Sequence, residues 1–192
     1  HKRSLREQIL VGEHGNMKLY EYQAKAIFAD SGITIPQGKV VASVDELQQL
    51  TGLTFPVVVK SQVLVGGRGK AGGIKIASDQ TELRDIVQTL LNSEIKGHLV
   101  KAVLIEEKVP VVEECYLSVT LDRATRMPLI IFSRSGGVDI EQVAKTNPEA
   151  IAKVQVDPAM GLRSFHLERL MQEGNVTDPV IKKEIKKVVH AL

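Results

Sequence analysis

Apolar positions recur along this chain at two spacings, and each spacing marks a kind of element. Leu83, Ile86, Val87, Leu90 and Leu91 stand at i, i+3, i+4, i+7 and i+8, the stripe of a helix that faces a core. Asp79-Gln80-Thr81-Glu82 just before them predicts where that helix starts. Leu19 to Ser31 predicts a second, amphipathic helix, with Leu19, Tyr22, Ala26 and Ala29 on one stripe and Gly32 as its stop. Ser43-Val44-Asp45-Glu46 is a capping-box pattern that opens a short helix carrying Leu47 and Leu50. Between these lie shorter β-like runs. Ile33 to Val41 reads as extended, and Phe55 to Lys60 and Ala102 to Glu107 read as strands. Residues 37 to 109 therefore read as β-α-β-loop-β-α-β, a compact α+β unit.

Beyond Pro110 the strands lengthen. Glu114 to Leu121 and Pro128 to Ser133 flank Asp122-Arg123-Ala124-Thr125-Arg126 and predict an antiparallel hairpin. Helices are expected at Ile140 to Thr146, Pro148 to Lys153, Phe165 to Gln172 and Pro179 to Leu192. The last one carries Ile181, Ile185, Val188, Val189 and Leu192 and meets the chain end with no stop signal, which reads as a C-terminal truncation. The fold class is α/β, of the α+β kind.

Composition narrows the partners. A formal charge of +2 over 192 residues argues against general nucleic-acid binding. The lone Cys115 cannot form an internal disulfide, which suits a reducing, cytoplasmic setting. No apolar run approaches membrane-spanning length. Residues 1–16 are charged, lack the apolar core of a signal peptide and precede Met17, so they read as an extension or arm.

The chemistry concentrates in one stretch. Val57-Val58-Val59 ends on Lys60; Gly66-Gly67-Arg68-Gly69-Lys70-Ala71-Gly72-Gly73 follows, and Ile74-Lys75-Ile76-Ala77 is strand-like again. Glycines let a backbone approach an anion and aim N–H groups at it. Residues 67–72 satisfy G-x-G-x-x-G, but a dinucleotide fold needs a helix to start there, and a strand follows instead. A Walker A loop fails as well, because Ala71 follows Lys70 and leaves no hydroxyl for magnesium. Two readings remain: a strand–loop–strand flap over phosphates, with Lys60 and Arg68 supplying charge, or a solvated hairpin tip.

Carboxylates bracket the next strand boundary. Glu106 and Glu107 end one strand, and Glu113 and Glu114 open another. A carboxylate accepts hydrogen bonds from ribose hydroxyls or from a donor on a base. That chemistry suits Glu106 at the base edge or the backbone near it and Glu114 at a ribose; solvated strand ends are the alternative. Cys115 reads as a core residue rather than a nucleophile. His98, His166 and His190 lack metal-ligand spacing. Asp139 after Ser135-Gly136-Gly137 reads as a helix N-cap, while the glycine pair suits either a turn or a ligand-approach loop.

Met17-Lys18-Leu19-Tyr20-Glu21-Tyr22-Gln23-Ala24-Lys25, Val59-Lys60, Gly66 to Gly73 and Gly136-Gly137-Val138-Asp139-Ile140-Glu141 together resemble the ATP-grasp β subunits of succinyl-CoA synthetases. The resemblance covers Met17 to Leu192; malate–CoA ligases and the ATP-grasp part of ATP-citrate lyase look similar. It implies an ATP-grasp fold of two lobes. Residues 37–109 would be the smaller, nucleotide-covering lobe; 17–36 and 110–192 would belong to the larger. It also implies that Lys60 contacts phosphate, that Gly67, Arg68 and Gly69 form the flap, that Glu106 and the backbone of Val109 lie at adenine, and that Glu114 lies at the ribose. Pro36 matches relatives that prefer ATP over GTP. The implied reaction makes succinyl-CoA from ATP, succinate and CoA through a phosphohistidine on a partner α subunit. That subunit also carries the CoA site, so no histidine here takes that role. The Mg2+ ligands are implied beyond Leu192, so this chain alone is expected to be inactive.

Overall fold

A computed structural model describes residues 18–192, so the expected arm at 1–16 lies outside the described residues. The chain divides into two compact units, one ending at Pro110 and the other starting at Val111.

In the first unit, helix α1 (Glu21–Asp30) is followed by β1 (Gly38–Val41), a 3-10 turn at Asp45–Gln49, β2 (Val57–Ser61), β3 (Ile74–Ala77), α2 (Gln80–Leu91), the small pair β4 (Glu94–Ile95) and β5 (His98–Leu99), and β6 (Val103–Glu107). The order β1-β6-β2-β3 makes a fully antiparallel sheet. Alternation does the sorting. Val57 and Val59 of β2 are buried with Leu83, Val87, Leu90, Val103 and Ile105 in one apolar core, so Val58 and Lys60 face the other side of the sheet. Val58 pairs with Glu106 and Lys60 with Leu104. Lys60 and Glu106 are therefore diagonal neighbours on that second face.

The expected start of α2 and the expected stop of α1 are present. Asp79 Oδ1 accepts from the Thr81 and Glu82 N–H groups at 2.8 and 2.9 Å, and Glu82 accepts from Ser78 N–H at 2.7 Å. At the end of α1, Gly32 has φ +80°; its N–H donates to Ala29 and that of Ile33 to Phe28, a Schellman closure that only a residue tolerant of positive φ makes without strain. The apolar stripe assigned to α1 does not form a core, since none of its residues is buried. Its Glu21 and Lys25 side chains pair with charges on the sheet and the glycine loop instead. The capping-box pattern at Ser43 is a correction: it gives only a 3-10 turn with Val44 at its N-cap and no side-chain cap bond, in which Glu46 accepts from Ala42 N–H and Ser43 Oγ, both at 3.2 Å.

The second unit holds β7 (Tyr116–Asp122), β8 (Met127–Ser133), α3 (Ile140–Thr146), β9 (Ile151–Gln155), α4 (Ser164–Glu173) and α5 (Pro179–Ala191). Strands β7 and β8 form the expected hairpin. The helix expected over Pro148 to Lys153 is a correction. A 3-10 turn at Pro148–Ala150 leads straight into β9, which pairs antiparallel with β8. Ala152, Val154 and Val156 alternate with polar residues and are buried; that period of two outweighs the helix-opening Pro148. Cys115 is a second correction: it is exposed and precedes β7, so strand alternation does not bury it. No described helix is long and apolar enough to cross a membrane.

Candidate functional site

The polar face of the first sheet carries a five-membered charge cluster. Lys60, next to last in β2, donates to Glu106 Oε2 at 2.6 Å and to Glu21 Oε1 at 3.1 Å. Arg68 reaches in from the glycine loop; its guanidinium contacts Glu21 Oε2 at 2.5 Å and donates to the Ser61 carbonyl at 2.8 Å. Lys25, one turn after Glu21 on α1, contacts Glu21 at 3.1 Å and also Glu106. Three cations from three elements thus meet two carboxylates.

The cluster is substantially desolvated. The Glu106 side chain is 2 % exposed, and those of Lys60 and Arg68 are 21 % and 17 %. Burial would raise the pKa of Glu21, but the Lys60 charge, the Arg68 hydrogen bond and Lys25 outweigh it and hold the carboxyl at about 2. Burial would likewise lower the Lys60 amine, yet the Glu106 hydrogen bond and the Glu21 charge push it above its ordinary value. Both groups stay ionised across the neutral range.

The backbone explains why these residues meet. The glycine loop joins two antiparallel strands, as expected, and not a strand to a helix. Its close is tight. Gly73 N–H donates to the Arg68 carbonyl, Ser61 N–H donates to the Gly73 carbonyl (2.8 Å each), and a Cβ on Gly73 would stand 2.4 Å from Ser61 Oγ. Gly67 has φ +71°, the region glycine enters freely. Gln62 ties α1 to the sheet: its side chain accepts from Tyr22 N–H at 3.2 Å and donates to the Lys60 carbonyl at 3.0 Å. Lys18, Leu19, Glu21 and residues 63–68 line an open groove of about 410 Å3 beside the loop.

The structure brings Lys60, Arg68 and Glu106 together, with Gly67 and Gly69 in the loop that carries Arg68. Both Glu106 oxygens are taken by lysines, so its carboxylate is engaged rather than open to a base. Val109 is exposed just past β6. Glu114 belongs to the second unit, where its carbonyl accepts from Gly136 N–H at 2.9 Å. A Cβ on Gly136 would stand 2.5 Å from the Glu114 carbonyl carbon, and one on Gly137, at φ +65°, 2.1 Å from Glu114 Oε2. Close approach to Glu114 is thus what the glycine pair permits. Asp139 caps α3 by accepting from Glu141 N–H at 3.1 Å. Neighbouring Glu113 pairs with Arg134 at 2.7 Å. Glu21 and Lys25 are the members that the sequence reading missed, although their i, i+4 spacing on a helix was visible. Among the described residues no group of three or more His, Cys, Asp or Glu side chains is arranged to hold a metal ion.

Residues 18–192 match the ATP-grasp domain family. The chain is 45 % identical over 161 residues to a succinate–CoA ligase [ADP-forming] subunit beta of Halorubrum lacusprofundi, covering 83 % of this chain and 42 % of that one. It is 42 % identical over 177 residues to the protein of the same name in Halobacterium salinarum, covering 92 % and 46 %. The chain therefore spans less than half the length of these curated relatives. Among solved structures, Ca. Korarchaeum cryptofilum ACD1 in complex with coenzyme A superposes with a TM-score of 0.70 at 20 % identity, covering 96 % of this chain and 84 % of that one.

Proposed function

Because this chain belongs to the ATP-grasp family, we propose that it is the nucleotide-binding part of an acid–CoA ligase, with ATP or ADP as ligand and succinate as the acid. The observation that carries the reading is the convergence of Lys60 and Arg68. They come from different elements, yet one carboxylate, Glu21, contacts both. Two cations that meet on one anionic group are poised to bind adjacent oxygens of a phosphate.

In this reading the chain binds, orients and neutralises. Lys60 and Arg68 contact phosphate oxygens, and the Gly67 and Gly69 backbone lets the loop lie close to them. The Val109 backbone and the end of β6 at Glu106 border the adenine. Glu114 in the second unit accepts from the ribose hydroxyls. Residues 37–109 act as the lobe over the nucleotide; 17–36 and 110–192 contribute to the other lobe. Mg2+ would supply charge neutralisation on the phosphates, and no group of three or more His, Cys, Asp or Glu among the described residues is arranged to hold it. A partner α subunit supplies the phosphohistidine and the CoA site, in a cytoplasmic enzyme. Atoms balance as ATP, succinate and CoA giving ADP, phosphate and succinyl-CoA.

Calorimetric titration of this chain with ADP tests the site. Saturable binding is expected, and Lys60→Ala should remove a charge-assisted contact worth about 1.5–3 kcal/mol. Unchanged affinity in that variant would rule out Lys60 as a phosphate ligand. Turnover of the whole protein with its α subunit, succinate set against malate, tests the acid.

A further inference from the structure

Neither cation expected at the phosphates is idle in the structure. Lys60 and Arg68 are joined through the two oxygens of one carboxylate, Glu21 Oε1 and Oε2. That is the pattern a phosphate group would present to them: one anion, two oxygens, two donors. Glu106 plays a different part. It pairs with Lys25 and Lys60, lies within the sheet and is nearly inaccessible, whereas Glu21 sits in the first turn of α1 and lines the open groove beside the glycine loop.

We propose that Glu21 is an internal stand-in for a nucleotide phosphate. It holds Arg68, and with it the glycine loop, against the end of β2 when the site is empty, and a nucleotide phosphate displaces it. The inference rests on the nucleotide reading above. Three features support an exchangeable contact. The groove gives a phosphate a way to Arg68 and to the Glu21 carboxylate that joins it to Lys60. Lys25 stays within 3.1 Å of Glu21 on the same helix, so the displaced carboxylate keeps a partner. Arg68 also donates to the Ser61 carbonyl, so the guanidinium remains seated on β2 while its anion changes. A phosphate group carries more negative charge than the carboxylate it replaces, which favours the exchange at a site holding three cations and two carboxylates.

The experiment compares this chain with Glu21→Gln and Lys60→Ala. ADP affinity is read by calorimetry, and the amides of residues 66–73 are followed by hydrogen exchange. Glu21→Gln should bind ADP roughly tenfold more tightly, as expected when a competing charged partner worth about one strong hydrogen bond is removed. Its loop amides should exchange faster in the free protein and recover protection with ADP. Equal or weaker binding by Glu21→Gln, with Lys60→Ala still weakened, overturns the stand-in and leaves the nucleotide reading intact. Equal binding by Lys60→Ala overturns that reading, and the stand-in with it. The unmutated chain gives a check that needs no variant to fold. The Glu21 side-chain carboxyl 13C resonance should move as ADP saturates the protein; a fixed resonance at saturation overturns the stand-in.

Discussion

Glu106 is the most constrained charge in the described chain. It is 2 % exposed, and both its oxygens contact ammonium groups. A buried ion pair adds little net stability, but removing one partner strands the other. Glu106→Gln leaves Lys25 and Lys60 to share Glu21 alone. It should lower the unfolding free energy by about 3 kcal/mol, the lower end for a broken buried pair because the lysines keep some water. Urea unfolding measures this; a midpoint equal to the parent's would mean that the lysines find full compensation elsewhere.

Glu21 makes a pH prediction. Its carboxyl is depressed from 4.5 to about 2 in the folded chain. A depressed carboxyl stabilises fully above its unfolded value and loses that contribution as pH falls through the folded one. The stability gap between the parent and Glu21→Gln should therefore be widest above pH 5, at most about 3 kcal/mol, and should close between about 4.5 and 2. Denaturation curves at stepped pH read it, and a gap independent of pH would refute the assignment. The placement of Lys60 near a strand end and of Arg68 in a loop joining two strands was legible in the sequence, because strand alternation and a glycine loop fix where such residues go; the pairing of Glu106 with Lys25 and Lys60 was not. Nor was the part played by Glu21 and Lys25. An i, i+4 acid–base pair looks the same on a solvated helix as on one docked by its polar side.

At the scale of elements, legibility followed local chemistry. Helix α2 was readable because its stripe and its cap agree, and both are present. The cap can be tested alone. Asp79→Ala removes the acceptor for two backbone N–H groups and should cost about 1 kcal/mol, seen as a lower urea midpoint; Asp79→Asn should restore most of it, since the amide oxygen still accepts. Strand β9 was misread because Pro148 and Glu149 carry helix-start chemistry while the signal for a strand lies in Ala152, Val154 and Val156. Pairing with β8, Ile130 to Val154 and Phe132 to Ala152, decides the matter, and no local propensity encodes a partner strand more than fifteen residues away in the chain. The 3-10 turn at Asp45–Gln49 shows the converse: Glu46 reaches back to Ala42 N–H and Ser43 Oγ, but Val44 holds the N-cap without a side-chain bond, and the segment is too short to grow an α-helix.

At the scale of the molecule, the described residues build two apolar cores with no residue in common. One runs from Val41 to Ile105, the other from Ile130 to Val189. The charge cluster of Glu21, Lys25, Lys60, Arg68 and Glu106 lies wholly in the first unit, on the sheet face opposite its core. Phe132 centres the second core at 1 % exposure, and Gly174 is shaped to it, since a Cβ there would stand 2.5 Å from Phe132 Cδ1. Phe132→Ala removes the largest side chain from that core and should destabilise the second unit by about 3–5 kcal/mol. Each core closes on its own elements, so the loss should stay where it is made. Amide exchange should accelerate through β7, β8 and β9 and hold at the parent rate in β2 and β6. Equal acceleration in β2 and β6 would mean that the two units unfold as one cooperative body; protection kept there is what lets the Lys60–Arg68 site outlast a weakened second unit.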